Sequence, residues 1–276
     1  MPETASGGGW ARWRDLTRIL TARNLKIRYK GSALGFFWSL LTPATTIAMY
    51  AIFASILKFA KGQNYLPFLV TGILVWGFTA GTLNDSLFAI AGNSNLVKKV
   101  WFPRVILPLT TALANAVNFL LTLAPLLLYL ALAGVLDLSR AYWLIPAAFL
   151  HLALCAGIAC LVSTLNVFFR DTQHIVGVGQ LAWFFLTPVF YRPEMQVEAA
   201  SRLFPGAWAG LAYLNPMTGV LALYRRGLMG GDPQLSLVPP GLSPWWIAAS
   251  GASCLAVLVI GLLALRRGDR SFGDAL

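Results

Sequence analysis

The chain is poor in charge, and poorest in acidic charge. Of its 276 residues, 11% are Asp, Glu, Lys or Arg, and only 10 are acidic. A soluble domain carries roughly 25% charged residues, so an ordinary cytosolic globule is excluded. Intrinsic disorder needs low hydrophobicity, whereas 58% of this chain is hydrophobic. Cysteine is scarce: Cys155, Cys160 and Cys254 sit in apolar stretches with no CxxC pair. They read as small hydrophobes, and neither a disulfide framework nor a zinc site is expected. No GxxxxGKS or GxxxxGKT loop occurs, nor HExxH, nor GxSxG, and the two histidines, His151 and His174, lie far apart. The chain therefore lacks its own Walker-type nucleotide site and the usual hydrolase motifs. His151 is expected to bond between helices.

What is abundant is long apolar sequence. A bilayer core of about 30 Å takes about 20 apolar residues as a helix. Six stretches qualify: 34–57, 66–91, 105–136, 143–168, 175–191 and 245–265. The third is long enough to tilt. The expected fold is an all-α integral membrane protein with six transmembrane helices. A net charge of +11 invites a nucleic-acid reading. The 21 Lys and Arg instead gather at the ends of the apolar stretches, as in a polytopic membrane protein. Residues 12–30 carry seven of them, Lys98, Lys99 and Arg104 three, Arg170 one, and Arg266, Arg267 and Arg270 three. The alternate loops hold the other seven: Lys58, Lys61, Arg140, Arg192, Arg202, Arg225 and Arg226. The positive-inside rule puts both termini in the cytoplasm. No signal peptide is expected, because residues 1–9 are small and polar and residues 10–30 carry seven basic side chains with no apolar core region among them.

Two regions depart from a plain six-span bundle. In residues 10–30, Trp13, Leu16, Leu20 and Ile27 fall within about 60° of one another on a helical wheel, with Arg14, Arg18, Arg23, Lys26 and Arg28 around the rest. This predicts an amphipathic interface helix with its apolar stripe in the headgroup boundary; a solvated basic tail is the alternative. Between the fifth and sixth spans, residues 203–214 and 216–228 are apolar but too short to cross. They are expected to form two short extracellular re-entrant helices within residues 193–244, broken at Asn215-Pro216. A single span across that break is the alternative. The expected organisation is residues 1–30 as cytoplasmic N-terminus and residues 31–276 as one membrane domain.

Ionisable residues within spans mark sites by default. Asp85 is the clear case. A structural role is expected, bonded to a neighbouring helix or to Lys98 or Lys99, with ion coupling as the alternative. Asn115, Asn118 and Asn166 read as interhelical glue.

Four passages carry a family likeness: RYKGSALGFFWSLLTP from Arg28, NSNLVKKVWFPRVILP from Asn93, NVFFRD from Asn166, and LNPM from Leu214. Together they resemble the permease subunits of type-2 ABC exporters for polysaccharides, which move lipid-linked O-antigen, teichoic acid or capsular polysaccharide across the bacterial cytoplasmic membrane. The likeness runs over nearly the whole chain after Arg12. It implies a homodimer working with two copies of a separate ABC ATPase. ATP and Mg would belong to that partner, with no cofactor in this chain. It further implies a polyprenyl-pyrophosphate-linked glycan as substrate, contact with membrane lipids and none with nucleic acid. Three other readings compete: an ABC permease for a drug or small lipid, an intramembrane transferase on polyprenyl-linked substrates, and a structural scaffold. No convergent acid, base or metal constellation supports the enzyme.

Two residue sets follow. The coupling set for the ATPase is Asn95, Lys98, Lys99, Trp101, Phe102 and Arg104 in the first cytoplasmic loop, with Arg28 and Lys30 at the end of the surface helix. Basic residues followed by aromatics suit an interface anchor, and Pro103 can fix the turn into the third span; a solvated basic loop is the alternative. Gly31 and Gly35 would permit the turn upward and close packing. The conduit set is Phe36, Phe37 and Trp38 at the inner mouth, and Trp183, Phe184, Phe185, Phe190 and Tyr191 along the fifth span. Aromatic rings offer a sliding sugar weak, repeated contacts. Trp183 and Phe190, seven apart, would share a helical face, with Pro188 kinking the helix between them. Aromatic residues at the lipid interface are the alternative.

Overall fold

A computed structural model describes residues 9–57, 65–99, 102–203, 214–230, 245–269 and 271–275. Among them there is no strand, only an isolated bridge between Asp137 and Met229. The helices are α1 (Gly9–Tyr29), α2 (Trp38–Leu57), α3 (Tyr65–Ser86), α4 (Ser94–Lys99), α5 (Ile106–Leu132), α6 (Leu144–Phe168), α7 (Thr172–Leu186), α8 (Pro193–Leu203), α9 (Pro216–Leu228), α10 (Trp245–Gly268) and α11 (Phe272–Ala275). Five helical stretches are long and apolar enough to cross a membrane: Gly35–Phe53, Tyr65–Ser86, Ile106–Leu132, Leu138–Phe168 and Trp245–Gly268. The chain is an all-α integral membrane protein. Residues 204–213, which hold most of the first expected external short helix, lie outside the described residues, as do Lys58, Lys61, Trp101 and Arg270.

The sequence's fifth apolar stretch supplies α7, which has 15 residues. At 1.5 Å per residue this is about 22 Å, shorter than the hydrocarbon core. The expected kink at Pro188 is instead a helix end. Thr187, forced out of helical geometry by the following proline, has φ −97° and ψ 137°. Trp183 and Phe190 therefore do not lie on one continuous helical face.

The interface helix forms where its periodicity put it, with a different use for its stripe. Leu20 is buried, and Trp13 and Leu16 pack with it against Val97, Ile106, Leu107, Leu265 and Phe272. These apolar groups meet the end of the bundle, while Ile27 is left exposed. Arg23 donates to Asn93 Oδ1 at 2.8 Å. Beyond Tyr29, Gly31 (φ 80°) and Gly35 (φ 47°) turn the chain into α2. No atom lies within 4 Å of where their Cβ atoms would be, so left-handed geometry and not close packing calls for glycine there.

The tightest packing joins α6 and α10. A Cβ on Gly157 would sit 2.6 Å from the backbone of Leu258, and one on Gly261 would strike the Gly157 carbonyl. Small residues let two membrane helices approach this closely, and dispersion gathered along the contact holds them. Beside this pair lies the polar heart of the bundle, where buried His151 on α6 shares a 2.8 Å hydrogen bond with Thr79 Oγ1 of α3. Phe78 and Phe119 stack at 5.3 Å against the same histidine. Asn166 donates to the Leu87 carbonyl at 2.7 Å.

Gly261→Ala should therefore overpack the α6–α10 contact, costing about 1–3 kcal/mol. Gly77→Ala on α3, with open space around its Cβ position, should match the parent or gain slightly in stability. Thermal midpoints of the purified protein, followed by size-exclusion recovery after heating, separate the two. Equal losses would contradict this packing.

Candidate functional site

Three regions carry polar or aromatic chemistry. The first is a cavity of about 350 Å³ where the end of α1 meets α2, α3 and α5. It gathers groups far apart in sequence because α1 returns to the bundle through Tyr29, whose hydroxyl donates to Asn118 Oδ1 at 2.7 Å. Ser39 in turn donates to the Tyr29 oxygen at 2.7 Å. Arg28 forms an ion pair with Asp85 and donates to Asn115 Oδ1 at 2.9 Å, while Asn115 Nδ2 donates to Asp85 at 2.8 Å. Asp85 thus finds its partners on a neighbouring helix, as one sequence expectation had it, with Arg28 in place of Lys98 or Lys99. The cluster is close to neutral. Three-centre bonding of this kind holds the partly exposed pair in one arrangement at the mouth of the cavity.

The second region is the loop from α3 to α5. The short helix α4 inserts Val97 into the apolar cluster beneath α1, which leaves Asn95, Lys98 and Lys99 on the exposed side. Phe102 packs into that same cluster. Arg104 is turned toward the last helices. It pairs with Asp269 at 3.3 Å and lies 5.8 Å from the Phe272 ring. Of the expected coupling residues, the structure brings Asn95, Lys98, Lys99, Phe102 and Arg104 to one end of the bundle. Arg28 points into the cavity, and Lys30 is exposed in the following turn.

The third region is built around the end of α7. Asn215 caps α9 by accepting from the Met217 N–H at 3.1 Å. The same carbonyl oxygen accepts from Trp183 Nε1 at 3.0 Å. Its Nδ2 donates to the Leu186 carbonyl and the Thr187 hydroxyl, both at 3.1 Å. One asparagine so ties the last turn of α7 to the first turn of α9. Nearby, Arg225 of α9 is fully buried. Its guanidinium donates to the carbonyls of Pro188 (2.9 Å), Val189 (2.9 Å) and Phe68 (3.1 Å) and lies 3.4 Å from the Phe68 ring centroid. It has no carboxylate partner among the described residues. Glycine is required at position 72, where a Cβ would collide with this guanidinium.

Of the expected conduit rings, Phe36, Phe37 and Trp38 are exposed, as is Phe185. Trp183 and Phe184 instead gather on Trp76, at 5.2 and 5.4 Å. Phe190 folds back to 4.8 Å from Phe184, and the Tyr191 hydroxyl donates to the Phe185 carbonyl at 2.9 Å. Sequence reasoning missed Arg225, which it had counted among loop charges. The available signal was a cation inside the apolar run of α9.

Comparison with known proteins adds an independent line. Residues 15–229 match the family described as ABC-2 type transporter. The chain is 30% identical over 218 residues to an O-antigen export system permease protein RfbA of Klebsiella pneumoniae, spanning 79% of this chain and 81% of that protein. It is 31% identical over 245 residues to an O-antigen export system permease protein RfbA of Myxococcus xanthus, spanning 86% and 91%.

Truncating Arg225 would leave the Pro188 and Val189 carbonyls without their donor, each unmet group costing about 1–3 kcal/mol. Arg225→Ala should therefore lose folded protein at the expression stage, while Arg226→Ala, which removes only a stacking contact over Trp143, should be recovered at near-parental yield. Detergent-extracted monodisperse protein is the measurement; matched yields would refute the carbonyl-clamp role.

Proposed function

Because the chain belongs to the ABC-2 type transporter family, we propose that it is the membrane subunit of an exporter carrying a lipid-linked polysaccharide of the O-antigen kind. One observation carries this reading: relatives named as O-antigen export permeases align over 79–86% of the chain. Membership in a family of transport permeases implies a partner ABC ATPase and a place in the bacterial inner membrane. It also fits a sequence without a Walker loop. In this reading the permease acts as a homodimer, both termini face the cytoplasm, and ATP is hydrolysed by two partner ATPase subunits.

The end of the bundle bearing α4 is then the coupling face. Asn95, Lys98 and Lys99 are exposed there, and Val97 roots α4 in the apolar cluster shared by α1, α5 and α11. A displacement of α4 by the ATPase would be passed on to those helices through packed side chains, not through a loose loop. Trp101 completes the set, with Arg28 and Lys30 further along. The exposed rings Phe36, Phe37 and Trp38 would meet the glycan at the inner mouth, and Trp183, Phe184, Phe190 and Tyr191 farther out.

The test is complementation of a strain lacking this permease. Surface glycan should return with the parental gene and not with Lys98→Glu/Lys99→Glu, whose permease should insert normally but retain less than a tenth of the parental ATPase on co-purification. Trp38→Ala should lower export severalfold with assembly intact. A deletion strain with normal surface glycan would refute the export role. Unchanged ATPase capture by the double variant would refute the coupling face.

A further inference from the structure

The cavity at the inner end has a composition that packing alone does not call for. Two helices face it with polar stripes at helical spacing: Thr42 and Thr46 on α2, and Asn115, Asn118 and Thr122 on α5. Its aromatic walls are Trp38, Phe78 and Phe119. From Trp38 to Thr46 the lining extends about 12 Å along α2. Its volume of about 350 Å³ falls within the range of small-molecule sites, about 300–1,000 Å³. On the α3 side Gly77 lies among Ile73, Leu74 and Phe78, and nothing lies within 4 Å of the position its Cβ would take. Glycine here costs helix stability and serves no close contact within the chain. What it preserves is space.

The charge state selects the ligand. Arg28, the cation of the lining, is already paired with Asp85 and Asn115. A phosphate entering would gain an arginine and meet a carboxylate beside it. An uncharged, hydroxyl-rich group suits the lining better, since each hydroxyl both donates and accepts. The amide oxygens and the threonine hydroxyls accept, Arg28 and the Asn118 amide donate, and the exposed Trp38 ring takes the C–H face of a pyranose, with the edges of Phe78 and Phe119 behind it. A lipid tail would offer these polar groups no further hydrogen bond, whereas a sugar can use the acceptor and donor capacity they have left.

We infer that this cavity is a saccharide subsite that receives the first sugar units of the lipid-linked glycan from the cytoplasmic half of the membrane. The inference rests on the exporter reading and its orientation. It places the sugar beside the turn from α1 into α2, so that occupancy and the position of the interface helix are linked through Arg28 and Tyr29.

The experiment uses the assembled permease–ATPase complex in detergent, immobilised, with a radiolabelled polyprenyl-diphosphate disaccharide as probe. Polyprenyl diphosphate without sugar and phosphatidylglycerol serve as competitors. The parental complex should retain the disaccharide lipid, and neither competitor should displace it at equal concentration. Gly77→Leu fills the cavity from a position with room for the side chain's first atom, and should weaken retention tenfold or more at an unchanged thermal midpoint. Thr42→Trp, filling it from the opposite wall, should do the same and decides the matter if Gly77→Leu does not fold. Parental retention with either folded variant overturns the subsite and leaves the exporter reading standing. Displacement by either competitor at equal concentration overturns the sugar assignment. A parental complex that retains no disaccharide lipid and restores no surface glycan overturns the exporter reading itself.

Discussion

A backbone carbonyl in hydrocarbon has no water to turn to, so wherever a membrane helix stops short the protein must bring a donor. This constraint shapes the half of the molecule around the end of α7. The helix stops at Leu186 because Pro188 forbids its continuation. The freed carbonyl of Leu186 goes to Asn215, and those of Pro188 and Val189 to Arg225. Both donors come from α9 or its cap, which is why a short helix incapable of spanning is nonetheless buried along most of its length. Arg225 also reaches Phe68 on α3. Three elements are thereby fixed by one guanidinium whose desolvation is met by carbonyls and a ring instead of a carboxylate.

The opposite end obeys a looser rule. There the interface helix is fastened by side chain to side chain, through Arg23, Arg28 and Tyr29, and the partners are amides and hydroxyls with capacity for further bonds. One end of the molecule spends its polar groups on closing the backbone. The other leaves them around an open space.

Much of this was legible in the sequence. The apolar stretches located the long helices, since about 20 such residues have few other uses. The 3.6-residue period located α1, and Asn215-Pro216 marked the start of α9. What escaped was direction and partnership. The stripe of Trp13, Leu16 and Leu20 has the same pattern whether it meets lipid or protein, and the structure shows protein. Pro188 signals an interruption without saying whether the helix resumes. Arg225 looked like one of two loop charges, because adjacent arginines differ only in which side of a helix they take. The cavity escaped altogether, as its walls come from four segments separated by up to some ninety positions, and Gly77 alone carries no mark of what its missing side chain leaves open.

The near contact of the Gly157 and Gly261 backbones has a mechanical consequence. At that crossing no side chains stand between the two main chains to rearrange, so α6 and α10 are joined there as a single stiff spar. Outside it stand α2, little buried over its spanning length, and α7, which buries only Thr172. Work delivered at the base of such a frame cannot be absorbed by bending the spar. In the proposed coupling it would appear as displacement of the two less buried members, the way a door and not its post moves when the sill is pushed.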